Sequence, residues 1–309
     1  MKVVIAGGSG ALGQKIARDL IERGDDVVVL TRSAATIGWG RPVRWDGRTV
    51  GPWASELAGA ALINLCGELV FRRPTRANIA LLTRSRTEPT LALAQACAGL
   101  SERIPVLVQM STLAIYGDAG QAVLDESAPP ADGPPQMAGV ARAWEGAAAR
   151  IPAARRTILR TGIVFDPGTP AFDRLTGLVS WGLGGTMGSG RQWISWLHID
   201  DLLGIVRRCL DDADLHGIVH ATAPHPVRNA ELMAALRRAV GRTVGVPSPA
   251  PLVRVGSIFL GADPALVLIG RRCVPRRLVD AGFRFEHPEL GPAVADLLGL
   301  GRPVSSDRP

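Results

Sequence analysis

Among 309 residues there is one tyrosine, Tyr116, and there are two lysines, Lys2 and Lys15. Both lysines fall in the first fifteen positions, far from the tyrosine, so no reaction can rely here on a local Tyr-Lys pair. Cysteine is scarce too. Cys66, Cys97, Cys209 and Cys273 are widely spaced with no CxxC pattern and read as buried free thiols in a reducing compartment. Long hydrophobic runs are missing. The first apolar run, Val3 to Ala6, stops at Gly7-Gly8, which argues against a signal peptide. The most apolar later stretch, Leu252 to Ile269, is interrupted by Arg254, Asp263 and Pro264 and should not span a bilayer. A cytoplasmic protein with no membrane partner is expected.

Several chemistries lack their signatures. Ser9 is followed by Gly10-Ala11, so there is no GxSxG elbow. Lys15 has no GK[ST] around it, which removes a P-loop. His216 and His220 bracket GIV in a strand pattern, where four-residue spacing makes no helical metal pair. The net charge of +7 comes almost entirely from arginine. Its pairs (among them Arg72-Arg73, Arg207-Arg208 and Arg276-Arg277) are scattered, with no basic tail or nucleic-acid motif, so no nucleic-acid partner is expected.

What is present is an ordinary globular balance, 47% hydrophobic and 20% charged, in a chain that can bury roughly 75% of its unfolded surface. Lys2 to Ala6, Asp26 to Thr31, Ala61 to Leu65, Pro105 to Met110 and Arg156 to Thr161 read as buried strands. Helical patterns separate them at Gly10–Arg23, Asn78–Ala98 and Ala138–Arg150. This alternation predicts an α/β, Rossmann-like, doubly wound parallel sheet. The expected organisation is a dinucleotide-binding domain over 1–165, rejoined by 196–222, where Gly217 to Thr222 reads as a further strand. A smaller, mainly helical substrate lobe takes 166–195 and 223–309. The glycine-rich stretch 177–190 reads either as a mobile loop or as a lid over a ligand.

The strongest motif is Gly7-Gly8-Ser9-Gly10-Ala11-Leu12-Gly13, between the first strand and the first helix. Gly7 should permit a tight turn, Gly10 should let a diphosphate approach the backbone, and Gly13 should pack helix on strand. Ser9, Ala11 and Leu12 complete the anion-facing turn, whose helix N-terminus carries free N–H groups. The second strand ends in Thr31-Arg32-Ser33, with an arginine and two hydroxyls where an acidic residue would hold the ribose of NAD. A guanidinium pairs with a 2′-phosphate, so NADP(H) is expected in preference to NAD(H).

The motifs continue in order: INLCGE (Ile63 to Glu68), MSTLAIYGD (Met110 to Asp118), LRTGIVF (Leu159 to Phe165), GSGRQWISWLHIDD (Gly188 to Asp201), HPVRN (His225 to Asn229) and PRRLVDAGFRFEHPEL (Pro275 to Leu290). Over essentially the whole chain this resembles the extended short-chain dehydrogenase/reductases. More narrowly it is similar to their atypical NAD(P)-dependent epimerase-like branch, which has a C-terminal domain of its own. The resemblance implies further cofactor contacts from Leu65, Gly67, Thr161, Gly162 and Ile163. It places the active-site hydroxyl at Thr112. The catalytic Tyr-x-x-x-Lys falls on Met137 and Ala141, neither of which can move a proton. General acid–base catalysis typically contributes about 10²–10⁴-fold, so Tyr116 and Glu68 are the substitutes expected, with His198 third. Where sugar-nucleotide members carry a phosphate-gripping arginine, this chain has Ile194; Arg191 and Arg228 remain as anion ligands.

The reading is therefore an NADP(H)-dependent oxidoreductase or epimerase-like enzyme. It would act on a small carbonyl or hydroxyl substrate held beside Trp181, Trp193 or Trp196, with no metal; a homodimer is the assembly left open. Two alternatives stand beside it: a non-catalytic NADP(H) sensor, and a nucleotide-sugar epimerase.

Overall fold

β-Branched residues dominate the first strand, and their alternation decides how the fold is layered. In β1 (Lys2–Ala6), Val3 and Ile5 pack with Ile16 and Leu20 of α1 (Ala11–Glu22) and with Leu202 and Ile205 of α5 (Ile199–Asp211). Val4 and Ala6 point the other way, onto Leu93 and Cys97 of α2 (Arg76–Ala98). A strand buried on both faces must be apolar throughout, and each fully buried Val or Ile contributes about 1.5–3 kcal/mol. The computed structural model describes residues 1–33, 37–259 and 261–300; the last nine positions of the expected C-terminal lobe lie outside the described residues.

Seven strands form one parallel sheet. With β2 (Asp26–Thr31), β3 (Arg41–Arg44), β4 (Ala61–Asn64), β5 (Ile104–Thr112), β7 (Ala153–Thr161) and β11 (Gly217–Ala221), its order is β11-β7-β5-β4-β1-β2-β3. The chain winds outward from β1 to β3, then returns to β4 on the other side of β1. The crevice between β1 and β4, at the carboxyl ends of the strands, is the topological switch point where such sheets bind ligands. The fold is the Rossmann-like doubly wound sheet that the alternation predicts. β3 is the one sheet strand its own sequence does not announce, because RPVR is an exposed edge.

A second hydrophobic centre lies beyond β8 (Ile163–Phe165). Phe165, Phe172, Trp196, Leu232, Leu236 and Val294 join α4 (Pro170–Ser180), α6 (Asn229–Ala239) and α10 (Leu290–Leu297). Three short two-stranded ladders lie outside the large sheet. β10 (Trp196–His198) runs parallel to β8, β12 (Val227–Arg228) antiparallel to β9 (Trp193–Ile194), and β13 (Arg272–Cys273) parallel to β6 (Val123–Leu124). The glycine-rich stretch is not a loose loop. Gly185 N–H donates to Val246 O (3.1 Å), Gly188 N–H to Ser248 O (2.8 Å) and Val246 N–H to Gly182 O (3.0 Å), so these glycines bring two backbones together. No helix among the described residues is long and apolar enough to cross a membrane.

Candidate cofactor and active site

The turn leaving β1 is dictated by contacts that only glycine tolerates. Gly7 has φ +78°, and a Cβ there would lie 3.0 Å from the Cys66 nitrogen on the neighbouring β4 loop. A Cβ on Gly13 would sit 2.6 Å from Gly8 Cα. Gly13 thus packs against the glycine turn itself, a correction to the expected packing on the strand. Gly10 differs from both. Its Cβ would meet only Gly7 O, at an ordinary 3.6 Å, so no internal contact requires glycine there.

Gly10 opens α1, and no side chain caps that end or places an acid in its first turn. Ser9, Gly10 and Ala11 are exposed and Leu12 half-buried. The first-turn amides therefore face outward with their helix dipole uncompensated, an arrangement suited to a diphosphate. Gln14, which the sequence reading overlooked, holds this turn in place. Its amide donates to Gly8 O (2.8 Å), and its carbonyl accepts from Gly38 N–H (2.8 Å) and Trp39 N–H (2.9 Å).

At the end of β2 the expected trio divides. Thr31 is buried, and its hydroxyl is spent on the local turn, donating to Ser33 O (2.9 Å) and accepting from Ser33 N–H (3.2 Å). It is not available to a ribose, which corrects that assignment. Arg32 and Ser33 are exposed, and among the described residues Arg32 has no ionic partner. The Arg32 charge is felt at Cys66, where it opposes the burial that pushes the thiol up to about 12. Arg44 stands on β3 in register with Thr31, adding a second exposed cation on this edge.

The β4 loop forms the opposite wall. Leu65 is half-buried, and Gly67 lies against Arg86, whose guanidinium a Cβ would meet at 2.8 Å. Arg86 donates to Glu68 O (3.0 Å) and Leu82 O (3.1 Å), covers the Trp144 ring, and is pushed down to about 10 by burial. The Glu68 carboxylate is half-exposed and pairs with Arg72 at 3.1 Å. Beyond it Arg174 of α4 lies 4.0 Å from the Phe71 ring centroid, bringing this loop against the second lobe.

Thr112 ends β5. Its oxygen accepts from Ala114 N–H at 3.1 Å, which leaves its own proton free to be donated. Across the sheet, Thr161 donates to Ser111 O (3.0 Å). Ile163 N–H donates to Ser195 O (2.9 Å), and Gly162 lies so close that a Cβ would be 2.5 Å from that same carbonyl. Thr112, Thr161, Gly162 and Ile163 are thus brought to the carboxyl ends of adjacent strands, where the crevice opens.

Tyr116 is not in that opening. It is 4% exposed, and its hydroxyl accepts from Arg160 (2.7 Å) and contacts His220 Nε2 (2.6 Å). His220 Nδ1 faces Val274 O at 3.0 Å. A carbonyl only accepts, so Nδ1 carries the proton and Tyr116 donates to Nε2. Burial pushes the tyrosine up to about 12. Its hydroxyl is fully engaged inside the protein, which corrects its placement among the proton donors. The chain of contacts continues: Arg160 grips both Glu145 oxygens (3.0 and 2.8 Å), and Ser111 donates to Glu145 at 2.6 Å. Met137, in the helical turn Pro135–Gly139, and Ala141, at the head of α3 (Val140–Ala148), are 5% and 2% exposed. Ala141 packs with Leu113, Ile115, Tyr116 and Cys273. Apolar atoms therefore fill the place where a proton-transferring pair would stand.

The remaining candidates separate clearly. His198 is buried and caps α5, accepting from Asp200 N–H at 3.1 Å. Trp196 is wholly core, Trp181 is 86% exposed, and Trp193 lies under the Arg228 and Arg272 guanidinium groups. Arg228 also binds Gln121 (2.6 Å) and the Arg191 carbonyl. Ile194 is buried.

A switch-point crevice, an uncapped helix start flanked by glycine and a cationic rim define a dinucleotide-binding protein of the doubly wound class. The chain belongs to the NAD dependent epimerase/dehydratase family, whose model matches residues 3–138; residues 248–297 match a domain of unknown function, DUF1731. It is 33% identical over 305 residues to the Bos taurus epimerase family protein SDR39U1, covering 96% of this chain and 100% of that one. The crystal structure of human epimerase family protein SDR39U1 (isoform 2) with NADPH superposes with a TM-score of 0.85 at 29% identity, covering 97% of this chain and 99% of that one. A nucleoside-diphosphate sugar epimerase from Corynebacterium glutamicum gives a TM-score of 0.76 at 28% identity, over 97% of this chain and 58% of that one.

Proposed function

We propose that the protein is an NADP(H)-dependent enzyme of this family, acting on a small carbonyl or hydroxyl centre. The observation that carries this reading is the uncapped α1 start beside the open flank of Gly10, with Arg32 exposed and without an ionic partner among the described residues. The NADPH bound by the human relative supports it. When bound, the nicotinamide supplies hydride chemistry. The first-turn amides of α1 hold the diphosphate, and Arg32 with Ser33, and Arg44 beside them, meet the 2′-phosphate. The Thr112 hydroxyl, its proton free, orients the substrate oxygen. With Tyr116 engaged elsewhere, Glu68 is the side chain left to move a proton, and positioning carries more of the rate.

The sealed apolar positions Met137 and Ala141 also favour a second reading, a protein that binds NADP(H) without turnover. Fluorescence titration of wild type and Arg32→Ala with NADPH and NADH tests the first step. The loss expected for a charged hydrogen bond, about 1.5–3 kcal/mol, is roughly 10–100-fold for NADPH, with NADH nearly unaffected. Equal losses would sink the NADP assignment, and no binding of either cofactor would sink both readings. A panel of small carbonyls then decides between them: NADPH oxidation that disappears in Glu68→Gln supports the enzyme, and tight binding with no oxidation supports the sensor.

A further inference from the structure

Four side chains outside the cofactor crevice converge where α5 meets the C-terminal segment. One nitrogen or oxygen from each of His198, Asp200, His287 and Asp296 lies within 4.8 Å of the others. Asp200 Oδ2 is 3.6 Å from His287 Nε2 and 3.6 Å from His198 Nδ1, and Asp296 Oδ2 is 3.5 Å from His198 Nε2. Ligand atoms on a tetrahedral ion with bonds of about 2.0–2.2 Å stand roughly 3.3–3.6 Å apart, the spacing already present between Asp200 and His287 Nε2 and between Asp296 and His198 Nε2. The two imidazoles stack with centroids 3.7 Å apart. His198 is 1% exposed, and its Nε2 has no hydrogen-bond partner. An unpartnered buried ring nitrogen facing the Asp296 carboxylate calls for an explanation.

We propose that these four residues bind a divalent transition metal of the zinc class. Two imidazoles and two carboxylates are a suitable donor set for such an ion. The dication would offset the two carboxylate charges. His198 would bind as the neutral imidazole. Its Nδ1 now accepts from Asp200 N–H, so the ring proton sits on Nε2. Coordination through Nε2 moves that proton to Nδ1 and gives up the cap bond. The frame is otherwise set: the Asp201 carboxylate accepts from Glu286 N–H (2.7 Å) and His287 N–H (3.1 Å), fixing the His287 segment against α5. Asp200 also lines a groove of about 700 Å³ open to solvent, which supplies a path for the ion. The metal would fasten α10 and the 286–287 segment to the start of α5, away from the glycine turn.

The test uses the full chain after chelator treatment, titrated with ZnCl₂ by calorimetry and with CoCl₂ by visible spectroscopy, and followed by thermal unfolding. One equivalent of Zn²⁺ should bind and raise the Tm, and Co²⁺ should give the intense visible bands of a tetrahedral site. His287→Ala and Asp296→Asn, both outside the sheet core, should each weaken uptake at least tenfold and abolish the Tm rise while NADPH binding stays at its wild-type value. Failure of wild type to take up either metal would overturn the proposal. So would uptake weakened less than tenfold in either variant, which would place the ion elsewhere.

Discussion

Gly10 and Gly13 are identical in chemistry, but their surroundings ask different things of them. A methyl group on Gly13 would press on Gly8 Cα, C and O within 2.6–2.8 Å, backbone atoms with no rotamer to escape into. Overpacking of this kind costs about 1–3 kcal/mol. Gly13→Ala should therefore lower the Tm by several degrees and weaken NADPH together. Gly10→Ala should leave the Tm near its wild-type value, since its Cβ finds open space, and weaken NADPH alone. Paired thermal melts and NADPH titrations check both; a Gly10→Ala protein that binds NADPH normally would remove the diphosphate from that face. Local pattern made this part of the site legible in the sequence, because strand, turn and helix are contiguous. Tyr116 was not legible. The partners that occupy its hydroxyl, Arg160 and His220, stand 44 and 104 residues away, and no spacing rule reaches them. Thr31 failed for the opposite reason: its hydroxyl closes a turn only two residues long.

At the scale of elements, strands buried on both faces announce themselves as β-branched runs, and all of those the sequence showed are in the sheet. The edge strand Arg41–Arg44 carries no such run because only Val43 of it reaches the core and the rest is exposed. The same limit applies to the glycine-rich stretch. Composition cannot distinguish glycine used for freedom from glycine used for contact, and the partner segment at 245–248 lies too far along the chain to be anticipated. A Cβ on Gly185 would overlap the backbone at Val246 and Pro247, and one on Gly245 would lie 2.6 Å from Gly184 C. Gly185→Ala should consequently part these backbones and loosen the second lobe while the sheet keeps its packing. Amide exchange reads this directly: protection should fall at Gly188, Val246 and Ser248 and hold in β1 and β5. Unchanged protection at those three amides would mean that the segment yields without cost.

The whole molecule is joined by one buried polar chain, running from Ser111 on β5 through Glu145, Arg160 and Tyr116 to His220 on β11 and on to the Val274 carbonyl. His220 must stay neutral for this chain to hold, and burial pushes its pKa down to about 4. An unfolded histidine titrates near 6.5. The folded value is the lower one, so the unfolded state takes up the proton first. The stability due to neutral His220 is complete above pH 6.5 and is lost as the pH falls from there towards 4. Linkage gives a loss on the order of 2 kcal/mol at pH 5 relative to pH 8. His198, lowered also, adds in the same direction. Glu126, whose carboxylate accepts from the His220 amide and whose pKa is raised by burial, works the other way near the bottom of the window. Urea unfolding at pH 8, 6.5 and 5 should therefore show wild-type stability falling steadily with acid. His220→Gln, less stable at pH 8 because it repacks beside Tyr116, should show a slope smaller by about 2 kcal/mol over that range. An unchanged slope in the variant would mean that the imidazole accepts a proton inside the fold. The chain from the sheet to the C-terminal segment would then tolerate a charge that its geometry leaves nowhere to go.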